Sequence, residues 1–232
     1  MAANASLMID DLLRQVPEGQ ARLFERPIKD VVEKRFFSVH MNWEYNPGRL
    51  IWHNEVPFEQ APWAGSRSLP RRPIWALPQP DVTFKGPSKQ IVDFYALGGE
   101  QAFFISTKLA RLIEELDPGS LDIRPIAIKA KDSVVDYNIV MPARVLEAVD
   151  PSRTDILVKD KNYAGQWIRS VEFPGDVVFR DEALVGVHSF ADIDVRGWYW
   201  SRELIDAAKV VGVKGLYTQI AGRTSIVGVD DL

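Results

Sequence analysis

Residues 103–129 read FFISTKLARLIEELDPGSLDIRPIAIK. Phe103, Phe104 and Ile105 are a short apolar run of buried-strand type. Ser106 stands where a side chain can cap the free N–H groups of a first helical turn. Leu109, Leu112, Ile113 and Leu116 recur at helical spacing and form one apolar face from Thr107 to Leu116. Asp117-Pro118-Gly119 stops that helix. Leu121-Asp122-Ile123-Arg124 then alternates as the start of a second strand.

The same order returns 95 residues on, as Trp198-Tyr199-Trp200-Ser201, a helix from Arg202 to Val211, Gly212 to Gly215, and Leu216 to Ala221. The two stretches align without a gap: Ser106 with Ser201, Leu109 with Leu204, Leu121 with Leu216. Leu204, Ala207, Ala208 and Val211 repeat the apolar face. Duplication and convergence on a common local pattern both account for the likeness. The expected fold is α+β, with mixed sheets, a few short helices, and two similar strand–Ser–helix–strand units at 103–128 and 198–221.

Upstream of the first unit, Ile91 to Leu97 reads as a strand ended by Gly98-Gly99. Ile9, Leu12, Leu13 and Val16 share one helical face, with Ser6 as N-cap and Pro17 and Gly19 as the stop. Phe37, Val39, Met41 and Trp43 alternate as a half-buried strand. Asn46-Pro47-Gly48 is a turn, and Leu50-Ile51-Trp52 is expected to return beside that strand as a hairpin. From Pro57 to Pro87 the chain carries seven prolines, which argues against regular structure. Phe58, Trp63, Trp75 and Phe84 lie in the same stretch. They read either as packing an extended arm onto the domain or as part of an ordered loop that contacts a partner. Arg67, Arg71 and Arg72 form a small basic cluster there, solvated or facing an acidic partner surface. The expected division is residues 1–90, an N-terminal helix, hairpin and Pro/Trp-rich arm packed on the main body, and residues 91–232, the α+β domain.

Downstream, Tyr137 to Met141, Ile156 to Val158, Trp167 to Phe173 and Val177 to Phe179 read as strands, and Asp181 to Leu184 as a polar connector. Ala191, Ile193 and Val195 alternate with Asp192 and Asp194. This places the two carboxylates together on a solvent-facing side of a strand.

The chain has 232 residues, 46% hydrophobic and 26% charged, which suits an ordinary globular protein with a proper core. A net charge of −4 argues against a nucleic-acid partner. With no cysteine there is no disulfide framework and no thiolate metal site. The first residues lack a basic segment followed by an apolar core, and no apolar run reaches the ~20 residues of a membrane span. A cytoplasmic protein is expected, without membrane association.

The three histidines, His40, His53 and His188, have no partner histidine at helical spacing. Gly98-Gly99 lacks the pattern of a phosphate loop. Neither Ser106 nor Ser201 is flanked by the glycines of a nucleophile elbow. No set of residues meets the demands of a nucleophile, base and oxyanion donor, or of three metal ligands. The residues therefore point to a binding protein without metal or cofactor, not to an enzyme.

Asp93-Phe94-Tyr95-Ala96-Leu97, Phe104-Ile105-Ser106 with Leu109, Leu112, Ile113 and Leu116, and Ile123-Arg124-Pro125-Ile126 resemble a bacterial family. It is the eleventh immunity-protein family of polymorphic toxin systems. Tyr137 to Val140, Ala148-Val149-Asp150, Arg153-Thr154, Phe179-Arg180 and the unit from Trp198 to Leu216 fit its later segments. The family typically has Ser where Thr154 stands. The resemblance spans about residues 91–221 and leaves out the Pro- and Trp-rich first ninety. It implies a non-enzymatic antidote that binds a cognate toxin protein made beside it, and it supplies no catalytic residues. Candidate partner contacts are Trp52, Trp63, Arg71, Arg72 and Trp75, since Trp and Arg dominate interface energetics. An acidic chain would also capture a basic toxin faster. The alternative is an enzyme or small-ligand binder for a polar substrate, with a site near His188, Asp192 and Asp194.

Overall fold

The computed structural model describes residues 8–29, 35–42, 49–55, 73–97, 102–163, 166–195 and 197–222. In chain order its elements are α1 (Ile9–Arg14), β1 (Ala21–Phe24), β2 (Phe36–Met41), β3 (Leu50–Trp52), β4 (Val82–Phe84), β5 (Phe94–Leu97) and β6 (Ala102–Ser106). Then come α2 (Thr107–Leu116), β7 (Leu121–Lys129), β8 (Val134–Pro142), β9 (Val145–Leu146), β10 (Ile156–Tyr163) and β11 (Gln166–Glu172). β12 (Ser189–Asp192), β13 (Tyr199–Ser201), α3 (Arg202–Val210) and β14 (Leu216–Ile220) follow. Among the described residues the strands form three sheets, ordered β3-β4-β7-β8-β6-β5, β14-β2-β13-β12-β9 and β1-β10-β11. The fold is mixed α+β, as the periodicities predict.

The two similar units have the same local structure. Ser106 and Ser201 are the N-caps of α2 and α3, and each hydroxyl accepts from the N–H three residues on, Leu109 and Leu204, at 3.2 Å. In each unit the two strands flank a third that runs antiparallel to both. β8 lies between β6 and β7, and β2 lies between β13 and β14. Each unit is thus a split β-α-β arrangement. The inserted strand has a different origin in the two: β8 follows its unit, whereas β2 comes from far upstream.

The units meet helix to helix. Lys108, in the first turn of α2, donates to the carbonyl oxygens of Val211 and Gly212 just past the end of α3. A cation at those free carbonyls complements the negative end of the helix. Asp93 ties the same region. It accepts from the Ser106 hydroxyl at 2.6 Å and from the Lys214 N–H at 3.0 Å, and pairs with Lys108 at 3.0 Å. Gly215 sits at φ +94, where a Cβ would lie 2.4 Å from Val92 Cγ2. Between the sheets, Phe103 packs on Trp198 with ring centroids 4.9 Å apart, and Trp198 meets Trp200 edge-on at 5.2 Å.

Several local expectations need correction. β3 does not return beside β2; it pairs with β4, Leu50 opposite Phe84. Both edges of β2 are already filled by β13 and β14. The N-cap of α1 is Met8, whose N–H donates to Asp11, and not Ser6, which lies outside the described residues. Val177 to Phe179 contributes one bridge, Val149 to Phe179, in place of a strand. The polar connector from Asp181 to Leu184 stands, as a turn of 3-10 helix with Asp181 and Glu182 exposed. Trp43, the turn at 46–48 and Gly98-Gly99 lie outside the described residues.

Candidate functional site

The short segment after Pro73 alternates sharply in burial. Ile74 and Leu77 are buried, while Trp75 between them is 61% exposed. One turn of 3-10 helix, Ile74–Ala76, makes this possible, because it turns the apolar residues at its two ends inward and the indole outward. The segment is pinned to β7: the Ile74 N–H donates to Asp122 Oδ2 at 2.8 Å. Arg124, two residues further along β7, lies over the Trp75 ring with its guanidinium carbon 5.4 Å from the centroid. Its Nη1 donates to the carbonyl oxygens of Leu77 at 2.6 Å and Pro78 at 3.4 Å, and its Nη2 to Gln79 Oε1 at 2.6 Å. An exposed indole thus lies against a cation that its own hydrogen bonds hold in place. Fixed Trp and Arg side chains are the groups that carry most binding energy at protein interfaces.

The other proposed contacts divide. Trp52 is only 9% exposed. It packs edge-on against Phe104 at 5.4 Å and donates its indole N–H to Asn54. It belongs to the core, because β3 turns it inward. Trp63, Arg67, Arg71 and Arg72 lie outside the described residues.

His188 does line a cleft, of about 760 Å³, where β13 passes into α3. Its Nδ1 is 2.9 Å from Ser201 Oγ and 3.2 Å from Glu203 Oε2. Both partners meet the same ring nitrogen. A relay for nucleophilic catalysis needs a carboxylate on one nitrogen and the nucleophile on the other. Ser201 Oγ is also occupied in capping α3. The arrangement orients a ring and caps a helix.

Asp192 is not on the solvent face that alternation predicted. It is fully buried, because β12 ends there and the chain turns. Oδ2 accepts from the Ala148 N–H, and Oδ1 from the N–H groups of Asp194 and Val195. Burial pushes its carboxyl up to about 6 against the pull of these hydrogen bonds. Neither Asp192 nor Asp194 lines the cleft with His188.

The sequence reading missed a buried ion pair. Asp117, at the end of α2 and 3% exposed, is 2.7 Å from Arg144 and accepts from the N–H groups of His188 and Ser189. Burial pushes its carboxyl up, but Arg144 and the two N–H groups outweigh it and hold it below the usual range. The only sequence signal was an Asp after a helix, which reads as a stop. Among the described residues no three His, Asp or Glu side chains gather as a metal site, and no helix is long and apolar enough to cross a membrane.

Compared with known proteins, residues 35–217 match the model of an immunity protein family, Imm11. The match starts upstream of the resemblance seen in the sequence and takes in β2, β3 and the Trp75 segment. No curated protein matches the chain.

Proposed function

The chain belongs to the Imm11 immunity protein family, and on that premise we propose that it binds and neutralises a cognate bacterial toxin without catalysis. The toxin is a polymorphic toxin of interbacterial competition, encoded by a neighbouring gene, and the complex forms in the cytoplasm of the producing cell. The observation that carries this reading is the family match across most of the chain. The exposed Trp75 supports it, since a large apolar ring in water is suited to burial against a partner. Trp75 is the proposed centre of the contact. Trp63, Arg71 and Arg72, on the adjoining stretch of chain, are proposed to extend it. Trp52, packed in the core, is proposed to take no direct part in the contact.

Co-expression tests the proposal. The neighbouring gene product alone should arrest growth, and this chain should restore growth and co-purify with it. If growth stays arrested and the two proteins separate on purification, the proposal fails.

A further inference from the structure

We infer that the Trp75–Arg124 platform is a receptor for a carboxylate, and that it takes an acidic side chain of the toxin set beside an apolar group that covers the indole. The occupant rests on the immunity reading above; the chemistry rests on the geometry.

A guanidinium has five N–H donors and a permanent charge. Three contacts use Arg124 donors, and all three acceptors are neutral: the Leu77 and Pro78 carbonyls and the Gln79 amide oxygen. Nε is shut off from solvent and has no acceptor among the described residues. Among the same residues no carboxylate lies within ion-pair distance of this cation. Asp122, two residues back on β7, gives an oxygen to the Ile74 N–H. Lys129 further along β7 is paired with Asp81 at 2.8 Å. Among the described residues, Arg124 is therefore locked in position with its charge not neutralised and one Nη2 donor to spare.

The indole of Trp75 adds a second donor. Its N–H makes no hydrogen bond among the described residues, and the side chain is 61% exposed. With the guanidinium carbon 5.4 Å from the ring centroid, an acceptor at the edge of this platform lies near a donor from each residue. A carboxylate meets the charge as well, and such charge-assisted bonds are roughly twice as strong as neutral ones. A basic partner group would meet Arg124 with like charge. The platform thus departs from the chain as a whole, whose net charge of −4 favours basic partners at long range. Long-range steering and local recognition can differ in sign, because screening removes the first beyond about 10 Å.

The test has two arms. In the first, end-blocked Glu-Tyr-Glu and Lys-Tyr-Lys peptides are titrated against the full chain. The Trp75 indole N–H signal is followed by NMR and assigned by its loss in Trp75→Phe. The acidic peptide should shift this signal saturably and the basic one should not, and Arg124→Gln should abolish the shift while leaving the rest of the spectrum in place. No shift with the acidic peptide, or equal shifts with both, overturns the inference. In the second arm, affinity is measured for a catalytically inactivated form of the neighbouring gene product. Arg124→Gln should weaken it about tenfold or more and flatten its salt dependence, with partial recovery in Arg124→Lys. Unchanged affinity in Arg124→Gln rejects the toxin as occupant. Failure of the unaltered chain to bind at all rejects the immunity reading, and the peptide arm still decides the chemistry of the platform.

Discussion

Asp117 and Asp192 are both carboxylates with almost no solvent contact, and their surroundings drive them in opposite directions. Asp117 has a cation and two N–H groups, so its folded state favours the charged form. Its contribution to stability is complete above the ordinary carboxylate range and is lost as pH falls through its lowered value. Arg144→Met should leave that charge buried with N–H partners alone. It is expected to cost about 3–5 kcal/mol at neutral pH, read from urea unfolding. Asp192 has N–H groups but no cation among the described residues, and burial raises it to about 6. Here the folded state holds the proton more tightly, so stability should fall as pH rises from about 4 to about 6 and stay low above that. A rise of that size corresponds to about 3 kcal/mol. Asp192→Asn cannot titrate, so the stability of the natural chain relative to this variant should decline across that interval. Urea midpoints at several pH values decide it. A constant offset from the lost acceptor would move the difference without changing its slope; a flat difference would refute the assignment.

At the scale of elements, the two helices rest on matching serine caps, yet their surroundings differ. Ser106→Ala removes the acceptor for the Leu109 N–H and should cost about 1 kcal/mol. Asp93→Ala should cost more than that. Asp93 holds the Ser106 hydroxyl, accepts the Lys214 N–H and pairs with Lys108, so its loss loosens the start of α2 and the approach to β14 together. Thermal unfolding of the two variants and the double variant checks the order, and the double should be less than additive because the residues share a bond. These helices, their caps and their flanking strands were legible in the sequence, since each depends on spacing over a few residues. Pairing between strands was not. The hairpin expected between β2 and β3 fails because β2 fills its edges with β13 and β14, more than 150 residues away. Alternation also misled at Asp192, because it assumes that the strand continues, and β12 stops at that residue. Asp93 is a related case: it marks the family motif in the sequence, but its partners lie across the contact between the two units.

At the scale of the whole molecule, the two described tryptophans of the Pro-rich side of the chain separate folding from binding. Nothing in their sequence context distinguishes Trp52 from Trp75; both stand in short apolar runs near turns. The sheets make the distinction, because β3 forms an edge strand that turns Trp52 onto Phe104, whereas the turn at 74–76 turns Trp75 out. Two routes to loss of protection follow. Trp52→Ala opens a cavity in the core and should cost about 3–5 kcal/mol. Protection should then fail through loss of folded protein, with a lower melting temperature and less soluble chain in the cell. Trp75→Ala removes only an exposed ring and its stacking on Arg124, an effect below about 1 kcal/mol. Its melting temperature and abundance should match the natural chain while growth rescue against the toxin is lost. Measuring melting temperature, soluble level and rescue for both variants separates the routes. If Trp75→Ala rescues growth as well as the natural chain at equal abundance, the toxin does not dock on this platform.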